Sequence, residues 1–99
     1  MEFKFATKDL ELLYIEERGI EHYPPEVVDA FFRRIALIEN ARDERDLRSV
    51  KSTHFEKLKG TNKYSIRLNK QWRLEFTFKP PQGKDKMIVV IEISKHYGD

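Results

Sequence analysis

Cysteine is absent from this chain, which excludes a disulfide framework and any thiolate metal site. The opening segment, MEFKFATKDLE, has no long apolar core of the kind a signal peptide needs. No stretch elsewhere approaches the roughly 20 apolar residues of a membrane span. A soluble, cytoplasmic protein is the expectation. Missing too are a glycine-rich phosphate loop, a G-x-S-x-G elbow and an H-E-x-x-H zinc motif. His22, His54 and His96 lack metal-ligand spacing among themselves and have few acids near them, so a structural zinc is not expected. There are no repeats, linker-like stretches or low-complexity tracts.

What is present is the composition of a packed protein. Ninety-nine residues suit one domain, spanning 1–99, with a single modest core. Hydrophobic residues make up 39%, and seven Phe, four Tyr and one Trp supply large side chains to fill that core. The net charge of +2 conceals an asymmetry. Residues 1–46 carry seven Lys/Arg against twelve Asp/Glu, a net of −5; residues 47–99 carry twelve against five, a net of +7. Between His54 and Arg73 the only acid is Glu56, beside Lys57, Lys59, Lys63, Arg67 and Lys70. A basic half on a nearly neutral protein points to a polyanion partner at one surface. Lysines on an edge strand also guard against aggregation, which accounts for Lys57, Lys59 and Lys63 at least as well. It does not account for arginines in mid-strand positions.

Along the chain, Phe3 and Phe5 alternate as a short first strand. Thr7 can cap a helix near 7–18 whose stripe is Leu10, Leu13 and Tyr14, with Gly19 as its stop. Pro24-Pro25 opens a second helix near 25–41, in which Val27, Val28, Phe31, Ile35 and Ile38 recur at i, i+3 and i+4 spacing. Arg33, Arg34, Glu39 and Arg42 fall mainly on its wet side. NARDERDLRS reads as a polar crossing to the sheet. Residues 55–58, 64–69 and 72–79 read as strands, with Gly60-Thr61-Asn62 and PPQGKD as turns. MIVVIEI is apolar almost throughout, which suits a strand covered on both faces or lying centrally. The order β-α-α-β-β-β-β predicts an α+β fold, two helices packed on one face of an antiparallel sheet.

The hairpin within HFEKLKGTNKYSIRLNKQWRLEFTF carries the most information. Tyr64, Ile66 and Leu68, then Trp72, Leu74, Phe76 and Phe78, alternate with polar residues, so they share the core face. Asn69-Lys70-Gln71 fits a three-residue loop, which sets Ile66 against Leu74 and Arg67 against Arg73 on the opposite face. Like charges directly across a ladder are unfavourable. A fold gains nothing from that pairing, whereas a site that grips phosphate does.

His54 stands just before the first strand of this meander, and His96 with Tyr97 just after the last. Converging strand ends can bring these residues, the two arginines and a lysine to one concave surface. RNA cleavage needs such a set: a base for the ribose 2′-OH, an acid for the leaving oxygen, and cations for the phosphorane charge. Histidine serves the first two roles near neutral pH and arginine the third. Trp72 and Phe76 can stack bases in principle, but their parity with Leu74 and Phe78 assigns them to the core.

LKG…YSIRLNKQWRLEFTF followed by VVIEISKHY resembles the HigB-like branch of the RelE/ParE toxin superfamily, over nearly the whole chain. The resemblance implies the toxin of a type II toxin–antitoxin module: a ribosome-dependent, metal-independent endoribonuclease that cleaves mRNA and uses no cofactor. It implies a helix-turn-helix antitoxin as partner, mRNA and the ribosome as targets, no membrane, and operator DNA reached only through the antitoxin. By position, Arg73 matches the arginine of the family's Trp-Arg motif and Arg67 a frequent basic position. His54 lies near the histidine ahead of LKG. Lys95-His96-Tyr97 stands in place of the family's Asp-Tyr-His, without the acid and with histidine and tyrosine reversed. The implied catalytic set is therefore Arg73, Arg67, His96, Tyr97 and His54, with Lys57, Lys59, Lys63, Lys70 and Lys95 holding RNA. Two other outcomes belong to the same superfamily: a ParE-like toxin that inhibits DNA gyrase without cleavage, and a degenerate toxin that only binds its antitoxin.

Each phosphate contact releases counterions, so RNA affinity held by these lysines falls steeply with salt. Replacing Lys57, Lys59 and Lys63 together by Gln should weaken RNA binding and flatten the salt slope in a titration. An unchanged slope would assign them to edge protection alone.

Overall fold

The computed structural model describes residues 1–80 and 86–95. Five strands form one sheet: β1 (Phe3–Phe5), β2 (Glu56–Lys57), β3 (Tyr64–Arg67), β4 (Trp72–Lys79) and β5 (Met87–Lys95), in spatial order β1-β5-β4-β3-β2. Three helices, α1 (Lys8–Glu16), α2 (Pro25–Asn40) and α3 (Glu44–Arg48), share its core, giving the expected α+β architecture. β2 to β5 make the antiparallel meander read from the sequence. β1 joins the far edge of β5 in parallel, so the sheet as a whole is mixed rather than antiparallel. Most of the PPQGKD turn lies outside the described residues. Among those described, no helix is long and apolar enough to cross a membrane.

Local chemistry explains the helix boundaries. Thr7 accepts a hydrogen bond from the Leu10 amide (3.3 Å), the cap that starts α1. The helix stops earlier than Gly19, because Glu17 itself takes the left-handed conformation (φ 54°) and its amide returns to Leu12 and Leu13. Pro25 sits at the first turn of α2, where its missing N–H costs nothing.

The core is the alternating face of the hairpin closed by the helix stripes. Ile66, Leu74, Phe76, Ile88 and Val90 are fully buried against Leu13, Val27, Phe31, Ile35 and Ile38. Each such side chain contributes on the order of 2 kcal/mol through removal from water. Tyr64 and Trp72, also expected inside, are half-buried at the core's margin, where Trp72 meets Tyr23 edge-on at 5.6 Å.

The run read as a polar crossing contains α3. Asp43 caps it, accepting from the Arg45 and Asp46 amides (2.9 and 3.4 Å), and Leu47 inserts fully into the core. Glu44 then ties α3 to the sheet by accepting from Lys86 Nζ (3.0 Å), and it also accepts from Arg48 Nε (2.7 Å). Both cations lie over aromatic rings, Lys86 over Phe78 and Arg48 over Phe55.

Burial pushes the Glu44 carboxyl up, but the hydrogen bonds and charges of Arg48 and Lys86 outweigh it and hold the group below its ordinary 4.5. A carboxylate depressed in the folded state adds stability that is complete above its unfolded value and lost as pH falls through the folded one. Glu44→Gln should therefore lower Tm at pH 7 by several degrees, since about 1 kcal/mol corresponds to about 4–8 °C in a domain of this size. The gap to the wild type should narrow as the pH is taken from about 5 toward 3. A gap that stays constant would detach the effect from this carboxylate.

Candidate functional site

β3 and β4 pair as the parity requires: Ile66 opposite Leu74, and Arg67 opposite Arg73. The loop is shaped by Asn69, whose side-chain oxygen accepts from the Gln71 and Trp72 amides (2.8 Å each). The arginines thus sit on the face away from the core.

β5 completes that face through a bulge. Phe76 pairs with Val90 and Glu75 with Glu92, so Ile91 is the extra residue. An unbulged register would set Glu92 against Leu74, inside the core, at the cost of burying a carboxylate. With the bulge, Ile93 stays buried while Glu92 and Ser94 turn to the arginine face. This explains why MIVVIEI lacks clean alternation: its parity changes partway. Two rows then cross the sheet side by side. One runs Glu56, Ser65, Glu75 and Glu92; the next runs Arg67, Arg73 and Ser94.

Arg73 is not the solvent-facing side chain that its strand position suggests. It is 8% exposed, with Nη1 donating to Ser65 Oγ (3.4 Å) and ion-paired with Glu56 Oε1 (3.2 Å). The acid row therefore offsets part of the like-charge penalty between the arginines. Arg67 is half-buried, and its Nε is buried without a hydrogen-bond partner among the described residues. Buried donors are ordinarily satisfied, so this one is an exception among the described residues.

A third arginine joins from α2. Arg34 donates from Nε to the Arg67 carbonyl (2.9 Å) and from Nη2 to the Ser52 carbonyl (3.5 Å). Its half-buried position corrects the wet-side assignment, and burial followed by the charge of Arg33 lowers its pKa. The signal was available: residues 27, 31, 34 and 38 follow the spacing of one helix stripe. Through Ser52, Arg34 brings the short 3₁₀ turn Lys51–Thr53 beside the end of β3, and His54 follows that turn, exposed and in the left-handed region (φ 47°). Glu56, Ser65 and Ser94 were likewise missed, because strand register alone brings them to the arginines.

Lys57 lies on edge strand β2, while Lys59 and Lys70 are exposed and Lys63 is half-buried. Lys95, paired with Trp72, holds its ammonium 5.9 Å from the indole centroid. His96 and Tyr97 lie outside the described residues. His22 is exposed near Glu21, as a surface residue should be, and the described residues contain no cluster of His and acids able to hold a metal ion.

This architecture and sequence match known proteins. The model of the HigB-like, RelE-like toxins of type II toxin–antitoxin systems matches residues 3–96. Toxin HigB-1 of Vibrio cholerae serotype O1 is 37% identical over 78 residues, covering 77% of this chain and 82% of that toxin. A solved YoeB/ParE toxin from Agrobacterium tumefaciens superposes with a TM-score of 0.56 at 17% identity, over 98% of this chain and all of the other, a likeness of fold. The chain belongs to the HigB-like family of RelE-type toxins of type II toxin–antitoxin systems.

Proposed function

We propose that this toxin acts as a ribosome-dependent endoribonuclease on mRNA in the cytoplasm, neutralised by a helix-turn-helix antitoxin. The observation that carries the reading is the facing pair Arg67 and Arg73, in which Arg67 keeps a buried donor unspent. Arg67 takes an oxygen of the scissile phosphate. Arg73, held rigid by Glu56 and Ser65, stabilises the charge that builds on the phosphorane without having to reorganise. Glu56 is half-exposed and keeps Arg73 oriented, as a carboxylate partner does for a planar guanidinium.

Proton transfer is assigned to His96, with Tyr97 donating a proton or stacking on a base, on the strength of their sequence position after β5. β5 is described up to Lys95 beside Trp72, next to Arg73 in the register, which supports that assignment. His54, exposed on its turn, orients RNA. Lys57, Lys59, Lys63, Lys70 and Lys95 contribute phosphate contacts along the approach.

Mapping mRNA ends on translating ribosomes tests this. Arg67→Ala should reduce cleavage by roughly a hundredfold or more, with little change in Tm. Arg73→Lys should lose cleavage comparably, because an ammonium cannot reproduce the guanidinium fork. Arg73→Ala should also lower Tm, since the side chain is buried. Among His96→Gln, His54→Gln and Tyr97→Phe, the first should lose most. Loss confined to His54→Gln would transfer the proton-transfer role to His54, and undiminished cleavage by Arg67→Ala would remove the phosphate site.

A further inference from the structure

β3 ends at Arg67, and its last carbonyl is held by a side chain instead of a strand. The Leu68 amide donates to the Trp72 carbonyl (2.8 Å), so 68 and 72 form a hydrogen-bonded pair of the hairpin. Hydrogen-bonded and non-hydrogen-bonded pairs alternate along an antiparallel ladder, which makes Arg67 and Arg73 a non-hydrogen-bonded pair. The Arg67 carbonyl therefore points away from β4, toward the edge where β2 lies. β2 pairs Glu56 with Ser65 and Lys57 with Tyr64. Continued two residues back, that register would set His54 opposite Arg67. It does not continue, because His54 takes the left-handed region (φ 47°) and its amide is spent on the Lys51 carbonyl (3.1 Å).

Arg34 fills the place that β2 leaves. From α2 its Nε donates to the Arg67 carbonyl (2.9 Å), a charge-assisted bond at the strand end. Its Nη2 reaches the Ser52 carbonyl at 3.5 Å, the outer limit of a hydrogen bond, so this second contact guides more than it holds. The turn Lys51–Thr53 has an anchor of its own, since Thr53 is fully buried and its hydroxyl donates to the Val50 carbonyl (2.8 Å). One planar guanidinium thus spans the end of β3 and the turn that leads into His54. Val27, Phe31, Ile35 and Ile38 fix α2 in the core, so the arm starts from a rigid base.

We propose that Arg34 is a positioning residue for the phosphate site. It fixes the backbone of Arg67, and with it the spacing between the Arg67 guanidinium and His54. The proposal rests on the nuclease reading and deepens it. Arg34 touches no reacting atom and acts through Arg67. The Arg67 side chain is the last on β3 and its Nε is buried, so a shift of the strand end passes directly to that guanidinium. A displacement of about 1 Å in such a group costs roughly a hundredfold in rate. Binding to the ribosome is spread over many phosphate contacts and does not depend on that one distance. The effect of Arg34 therefore belongs in kcat, not in KM.

The test measures kcat and KM for cleavage on mRNA-programmed ribosomes. Arg34→Met keeps the apolar stem and removes both donors, and it should lower kcat at least tenfold with KM within twofold. Arg34→Lys keeps the charge without the fork and should also lose at least fivefold in kcat. In an Arg67→Ala background, either change should cost less than a further twofold, since the group that Arg34 positions is gone. Undiminished kcat in either single variant, a loss carried in KM, or a further loss of twofold or more beside Arg67→Ala overturns the proposal. Each of these outcomes leaves the nuclease reading standing. If Arg34→Met does not fold, Arg34→Lys carries the same comparisons. A wild-type chain that leaves ribosome-bound mRNA intact rejects the nuclease reading, and this proposal falls with it.

Discussion

The register of the β3–β4 hairpin is the constraint on which the rest depends. Strand side chains alternate between faces, so a slip of one residue would carry Arg67 and Arg73 into the core and expose Ile66 and Leu74. The apolar cost of that slip, several large side chains at about 2 kcal/mol each, pins the pairing. Asn69 adds a local lock by closing the loop through two backbone amides. One alternation thus specifies both the hydrophobic layer and the cationic pair behind it.

Two tertiary devices build the surroundings of that pair. The bulge at Ile91 changes the parity of β5 and delivers Glu92 and Ser94 to the arginine face while returning Ile93 to the core. Arg34 reaches from α2 to the Arg67 carbonyl and to Ser52, coupling helix, strand and the turn before His54. Glu56, on a strand of only two residues, orients Arg73. The arginine pair is tolerable in the folded state because a row of acids runs beside it. Among the described residues, the buried Arg67 Nε has no hydrogen-bond partner.

Charge is distributed unevenly along the chain. The second half of the chain is basic and carries the arginine pair, whereas the first half is acidic and contributes Asp9 and Glu21 to a cleft lined also by Ile91, Glu92 and Ile93.

The amino-acid sequence by itself determined the α+β class, the two long helices, the meander and the facing of Arg67 with Arg73. Each follows from periodicity and turn chemistry, which act between neighbours in the chain. Only the tertiary structure decided the parallel addition of β1, the burial of Arg73, the insertion of Leu47 through α3 and the meeting of Arg34 with Arg67. These contacts join residues about 10 to 85 positions apart, and α3 has a single apolar anchor among charges, too little to register as a period. Whether an arginine on the outer face is exposed or ion-paired depends on which strand lies beside it. That is a property of register across the whole sheet, not of any one strand's sequence.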